Sequence, residues 1–218
     1  MLNRSSYSEK PNMIEIVYSD DNLVIANKPY DMLSVPGRGE EKQDCLWRRV
    51  QQQFPTARIV HRLDYATSGL IVLALTLEDQ RSLSRSFQER LTEKRYQAII
   101  SGTPDNTKGS IELPLRCDWE NRPLQIVDFE QGKSALTHWE VIGQDTHGTR
   151  VALTPVTGRS HQLRVHMQAM GHPIVGDRFY APEKIVSLSP RLLLHAETLS
   201  LPHPKTGEIM TFKASSPF

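Results

Sequence analysis

An apolar strand, Leu70-Ile71-Val72-Leu73-Ala74, follows directly on a polar turn at residues 61–69. A bounded run of that length reads as a strand of a buried sheet, because a helix would need about ten residues or more. Other elements must therefore pack around this strand. The turn ahead of it carries one carboxylate, Asp64, two residues after Arg62. An acid held by a turn at the edge of a buried sheet sits where catalytic groups tend to be placed.

The remaining chain supplies strands interrupted by a few helices. Ile14-Glu15-Ile16-Val17-Tyr18 and Leu23-Val24-Ile25-Ala26 read as two strands across the turn Ser19-Asp20-Asp21-Asn22, with Asn27-Lys28-Pro29 ending the second. Leu46, Val50 and Phe54 recur at helical spacing and predict a helix running into Pro55. Thr76 with Asp79 three residues on predicts an N-cap, and Leu83, Phe87 and Leu91 continue that helix on one face. Residues 96–100 read as a further strand, and 137–142 with 150–155 as a pair across a turn at 143–148. Ser160 is the expected N-cap of a helix with Leu163, Met167 and Met170 facing inward and Gly171 as its stop. Two late strands are expected at 191–196 and 210–213, around the turn at 202–207. Without βαβ regularity, this order argues for an α+β fold on a mixed sheet.

A chain of 218 residues can bury one substantial core, or two small ones with a cleft between them. The expected organisation is a flexible tail at 1–12 and one domain at 13–218, whose two halves divide near the polar segment 103–109. No apolar run approaches the roughly 20 residues of a membrane span, and the first dozen residues lack the apolar core of a signal peptide. A cytoplasmic location is expected. Cys45 and Cys117 stand in no metal-ligand spacing and read as reduced structural thiols; no metal site is expected.

The net charge of +1 excludes a protein that binds nucleic acid through bulk charge. Phosphates would have to be met by local clusters. Residues 156–180 provide one, with Arg159, Arg164 and Arg178 against the single Asp177. His161, His166 and His172 lie among them and read as satisfied structural histidines.

Three further strings carry chemistry: His61-Arg62-Leu63-Asp64-Tyr65-Ala66-Thr67-Ser68-Gly69-Leu70, Lys94-Arg95-Tyr96 and Gly158-Arg159-Ser160-His161-Gln162-Leu163-Arg164. Asn27-Lys28-Pro29 precedes them and His172-Pro173-Ile174-Val175-Gly176-Asp177 follows. In this order, over almost its whole length, the chain resembles the RluA family of pseudouridine synthases. The resemblance implies the pseudouridine synthase fold: a mixed, mostly antiparallel central sheet flanked by helices and loops, with the active-site cleft between two halves. Leu33-Ser34-Val35-Pro36-Gly37-Arg38 and Cys117-Asp118-Trp119-Glu120-Asn121-Arg122-Pro123 are similar to compact members without an N-terminal S4-type RNA-binding domain. Such members act on both large-subunit (23S) ribosomal RNA and a tRNA anticodon stem-loop. Those RNAs are the expected partners, and a monomer the expected state.

By the same resemblance Asp64 is the catalytic aspartate, Arg164 pairs with it, and Tyr96 stands at the target base. Arg62 enters the space that a flipped base vacates, and His61, Arg159, His161 and Leu163 complete the expected substrate-binding set. Turning uridine into pseudouridine breaks the bond from ribose C1′ to N1 and rejoins C1′ to C5. Nothing is oxidised and no group is imported, so no cofactor is expected. A carboxylate beside the sugar suits this chemistry. Glycoside hydrolysis usually takes two carboxylates, and the signature holds one, which favours an isomerase. Whether Asp64 attacks the sugar, attacks the base or abstracts a proton to form a glycal stays open. Two other readings are a non-catalytic RNA-binding module and a nucleosidase that would release free uracil.

Overall fold

The structure is a computed structural model that describes residues 13–218; the tail expected at 1–12 lies outside the described residues. The chain runs β1 (Glu15–Ser19), β2 (Leu23–Lys28), α1 (Leu46–Gln51), β3 (Arg58–Ile59), β4 (Ser68–Ala74), α2 (Leu77–Gln88) and β5 (Glu93–Ile100). It continues through β6 (Lys108–Glu112), β7 (Leu115–Cys117), β8 (Gln125–Val127), β9 (Leu136–Asp145), β10 (Gly148–Pro155) and α3 (Gln162–Ala169). The last elements are α4 (Glu183–Val186), β11 (Leu194–Pro202) and β12 (Ile209–Lys213). One sheet has the order β1-β2-β4-β11-β5-β10-β9-β6, with β3 added on β4 and β12 on β11, while β7 and β8 pair apart. Its pairings are antiparallel except between β4 and β11, which run parallel for two residue pairs. This is the mixed, mostly antiparallel α+β sheet that the sequence predicts.

Strand periodicity explains why β4 is apolar from Leu70 to Ala74. Ile71 and Leu73 point to one core with Val24, Ala26, Leu46 and Val50. Leu70, Val72 and Ala74 point to the opposite core with Leu23, Ile25, Leu83 and Leu199. Side chains alternate across a strand, so a strand covered on both faces has no polar position to spare. A third core joins Ala98, Val151, Leu153, Leu163 and Met167. Tyr96 on β5 packs against both the first and the third core, at the seam between them.

The seam also explains Gly69. It pairs with Ala196 across the parallel joint at φ +115°, and a Cβ there would lie 2.3 Å from the Ala196 carbonyl oxygen. Only glycine lets β11 approach β4 this closely.

Several elements depart from expectation. α1 stops at Gln51, and Phe54 lies beyond it while still packing on the first core. Phe54 precedes Pro55, whose ring disfavours helical backbone at the residue before it. α2 has the expected cap, Asp79 N–H donating to Thr76 Oγ1 at 3.1 Å, but ends at Gln88. Leu91 follows a left-handed Arg90 and is exposed. Ser160 does not cap α3: the N-cap is His161, left-handed at φ 52°. No side chain caps it, and Gln162 instead ties the approach to the helix, its Oε1 accepting from Arg159 N–H and from Thr157 Oγ1. Gly171 does follow α3 with positive φ. The strand expected at 191–196 begins at Leu194 and runs on to Pro202. Residues 103–107 link β5 to β6 within the one sheet. Among the described residues no helix is long and apolar enough to cross a membrane.

Candidate active site

Asp64 lies in the turn that enters β4, and both its neighbours are clasped. Ser34 Oγ donates to Leu63 O at 2.8 Å and accepts from Leu63 N–H at 3.1 Å. Tyr65 O accepts from Met32 N–H at 3.1 Å and from the buried Lys28 ammonium at 3.2 Å. Lys28 also donates to Pro29 O and Met32 O, which ties the loop after β2 to the turn. The motif residues Lys28 and Ser34 thus fix where Asp64 stands. Beyond the turn, Arg191 donates to Ser68 Oγ at 2.5 Å, and Ser68 lies 2.8 Å from His195 Nδ1. His195 Nε2 bonds Ala214 O, so the hydroxyl proton of Ser68 is directed to Nδ1.

Arg164 arrives from α3, 100 residues further along the sequence. Its side chain is only 5% exposed, and its Nη1 stands 3.6 Å from Asp64 Oδ2. Its main partner is Asp177, which accepts from Nε at 2.8 Å and from Nη2 at 2.7 Å. Burial works to lower the arginine pKa, but the Asp177 bonds and the charge of Asp64 outweigh it and hold the pKa above its ordinary value. The rings of Phe179 and Tyr180 stand 5.1 Å and 5.0 Å from the guanidinium carbon. Gly176, at φ +77°, lets this loop pass the Arg191 carbonyl, where a Cβ would lie 1.9 Å away. Sequence reading gave Asp177 no role beyond a counter-charge, although Gly176-Asp177 closed one of the quoted strings. Which arginine it would meet depended on the path of the loop.

Tyr180 completes a second chain. Its oxygen accepts from Gln125 N–H at 2.9 Å and stands 2.6 Å from His161 Nδ1. Burial pushes the phenol up to about 12, so it keeps its proton and donates it to Nδ1. The His161 ring proton therefore sits on Nε2. Burial also holds the His161 pKa below its ordinary value.

These groups share one cavity of about 1440 Å³, lined among others by Arg62, Asp64, Tyr96, Arg159, His161 and Arg164. Small-molecule sites rarely exceed about 1,000 Å³, so the size suits part of a polymer. Its lining carries eight lysines and arginines against five carboxylates. The basic surface is local, as a near-neutral chain requires. Tyr96 is half-buried beside Asp64, and both burial and that charge raise its pKa. Arg62 and Arg159 are exposed on the lining.

His61 and Leu163, both expected to bind substrate, also serve the fold. His61 also lines the cavity, but its Nε2 accepts from Val72 N–H at 3.2 Å and its ring stacks on Phe87 at 4.5 Å. Burial, aided by the Lys94 charge, lowers its pKa to about 3, so it is a neutral residue that shapes the turn. Leu163 packs into the third core and borders a small recess beside the cavity. His166 and His172 are satisfied structurally, bonding Thr137 and Leu113 O, and Ser101 O. Among the described residues no cluster could hold a metal ion, and both cysteines are free.

Known proteins share this architecture. The family model for RNA pseudouridylate synthase matches residues 22–169. The dual-specificity RNA pseudouridine synthase RluA of Escherichia coli is 53% identical over 204 residues, 93% of each chain. That of Haemophilus influenzae is 52% identical over 206 residues, 94% of each. The solved structure of human RNA pseudouridylate synthase domain containing 1 superposes with a TM-score of 0.82 at 30% identity, over 98% of this chain and 87% of that one. For human RNA pseudouridylate synthase domain containing 4 the TM-score is 0.72 at 26% identity, over 93% and 88%. A carboxylate clasped in a turn, an arginine brought to it from α3 and a matching fold lead to one assignment: the chain belongs to the RNA pseudouridylate synthase family.

Proposed function

We propose that this protein isomerises uridine to pseudouridine in both large-subunit (23S) ribosomal RNA and a tRNA anticodon stem-loop, as a cytoplasmic monomer that needs no cofactor. The observation that carries the reading is the convergence of Asp64, Tyr96 and Arg164, from three distant segments, on one basic cavity. The relatives from Escherichia coli and Haemophilus influenzae are named as dual-specificity enzymes, which supports two RNA classes.

A stacked base cannot reach Asp64, so the target nucleotide is flipped out at a cost of a few kcal/mol. Tyr96 offers a ring to the base, and the exposed Arg62 fills the space left behind. Arg159 and His161 contact RNA at the cavity rim, with the His161 Nε2–H as a donor. Leu163 and His61 act through shape. In each open route, Asp64 is the group that acts. The balance is the same: one C–N bond is exchanged for one C–C bond, C5 loses a proton and N1 gains one.

The test is incubation of the purified protein with an unmodified anticodon stem-loop and a 23S fragment, followed by pseudouridine mapping and chromatography of released bases. Pseudouridine in both RNAs is expected, with no free uracil. Asp64→Asn is expected to lower turnover at least about 1000-fold while thermal stability and RNA binding persist. Activity near wild type in that variant would refute the role of Asp64.

A further inference from the structure

Arg164 meets its two carboxylates unequally. Asp177 holds Nε and Nη2 at 2.8 and 2.7 Å, whereas Asp64 faces only Nη1, at 3.6 Å and beyond hydrogen-bond reach. Left to itself, an arginine beside a carboxylate closes into a two-bond fork, which would engage both oxygens of Asp64. Here the fork is made to Asp177 instead. Its side chain is wholly buried and is anchored by the backbone N–H groups of Phe179 and Tyr180 at 3.0 and 3.3 Å. The rings of those two residues flank the guanidinium.

We propose that Asp177 is a positioning residue for the isomerisation: by holding the Nε–Nη2 edge of the Arg164 guanidinium it keeps that group beside Asp64 yet off its oxygens, which stay free to react. This rests on the reading of Asp64 as the reacting carboxylate. The loop after Gly176 is then part of the catalytic apparatus although Asp177 need never touch RNA.

The experiment measures single turnovers with enzyme in excess over the target stem-loop, where a smaller folded fraction changes the amplitude and not the rate constant. In Asp177→Asn the amide NH2 opposes an arginine donor, so the grip breaks and the guanidinium closes on Asp64. The rate constant is expected to fall about 100-fold, with RNA affinity within about twofold of wild type. In an Arg164→Gln background the same substitution is expected to add nothing, because Asp177 acts through Arg164. A rate constant within about threefold of wild type, or equal losses in both backgrounds, overturns the proposal. Should Asp177→Asn fail to fold, the wild-type protein decides. The NMR signal of the Arg164 Nε–H, assigned by its disappearance in Arg164→Lys, is expected to be protected from solvent exchange. Exchange as fast as that of exposed arginines overturns the proposal. Full activity in Asp64→Asn overturns the reading of Asp64 and this proposal with it, whereas an inert Asp64→Asn beside an unimpaired Asp177→Asn overturns the proposal alone.

Discussion

Tyr96 combines two properties that substitution can separate. Its ring packs at the seam of two cores, and its hydroxyl stays protonated because partial burial and the nearby Asp64 charge both raise its pKa. Tyr96→Phe keeps the ring, so its affinity for the target stem-loop is expected to stay within about twofold of wild type. Tyr96→Leu removes the face on which a base stacks and is expected to cost about 1–3 kcal/mol of binding. Fluorescence anisotropy titrations compare the two; equal affinities would discard stacking as the role of this ring. Asp64, Tyr96 and Arg164 could each be named from the strings that hold them. The grip of Asp177 on Arg164 could not, because a bond between residues 164 and 177 exists only once Gly176 has turned the loop past Arg191.

Among the elements, the joint between β4 and β11 is the tightest constraint. The strands meet at His195 with Ser68 and at Ala196 with Gly69. Replacing Gly69 by alanine puts a methyl group 2.3 Å from Ala196 O and 2.5 Å from Ala196 N, at a φ that side chains avoid. Strain and overpacking there are expected to cost about 3 kcal/mol or more, read as a lower midpoint in urea unfolding. A loss below about 1 kcal/mol would show that the joint yields instead. Apolar periodicity revealed the long central strands and α2. It did not reveal β3, β6, β7 or β8, which are short and largely half-buried or exposed. Pairing with a neighbour makes such strands, not their own composition. The Ser160 cap failed because the chain turns left-handed at His161, which becomes the N-cap and leaves the helix without a side-chain cap.

For the whole molecule, the buried and half-buried histidines set the response to acid. Burial lowers the pKa of His61 to about 3 and holds those of His161, His166 and His195 below their ordinary value. The unfolded chain therefore binds protons that the folded one refuses. Their contribution to stability is complete above about pH 6.5 and is lost as pH falls toward the folded pKa. The lowered carboxylates, such as Asp128 at about 2, titrate at more acidic pH. Calorimetry is expected to show the unfolding temperature falling between pH 7 and pH 5, with a shallower fall in His61→Gln, which keeps an acceptor for Val72 N–H. An unfolding temperature that holds level over that interval would contradict this account.

The sequence by itself determined the α+β class and the strand that must be covered on both faces, because periodicity is a local property; the carboxylate and the arginine were named only through the resemblance of the strings that hold them to a known family. Tertiary structure alone decided that Lys28 and Ser34 clasp the turn around Asp64, that Asp177 shares its arginine, and that a near-neutral chain gathers an excess of positive charge in one cavity. Those facts are distances between residues far apart along the chain, and they are fixed only when the sheet brings its strands into register.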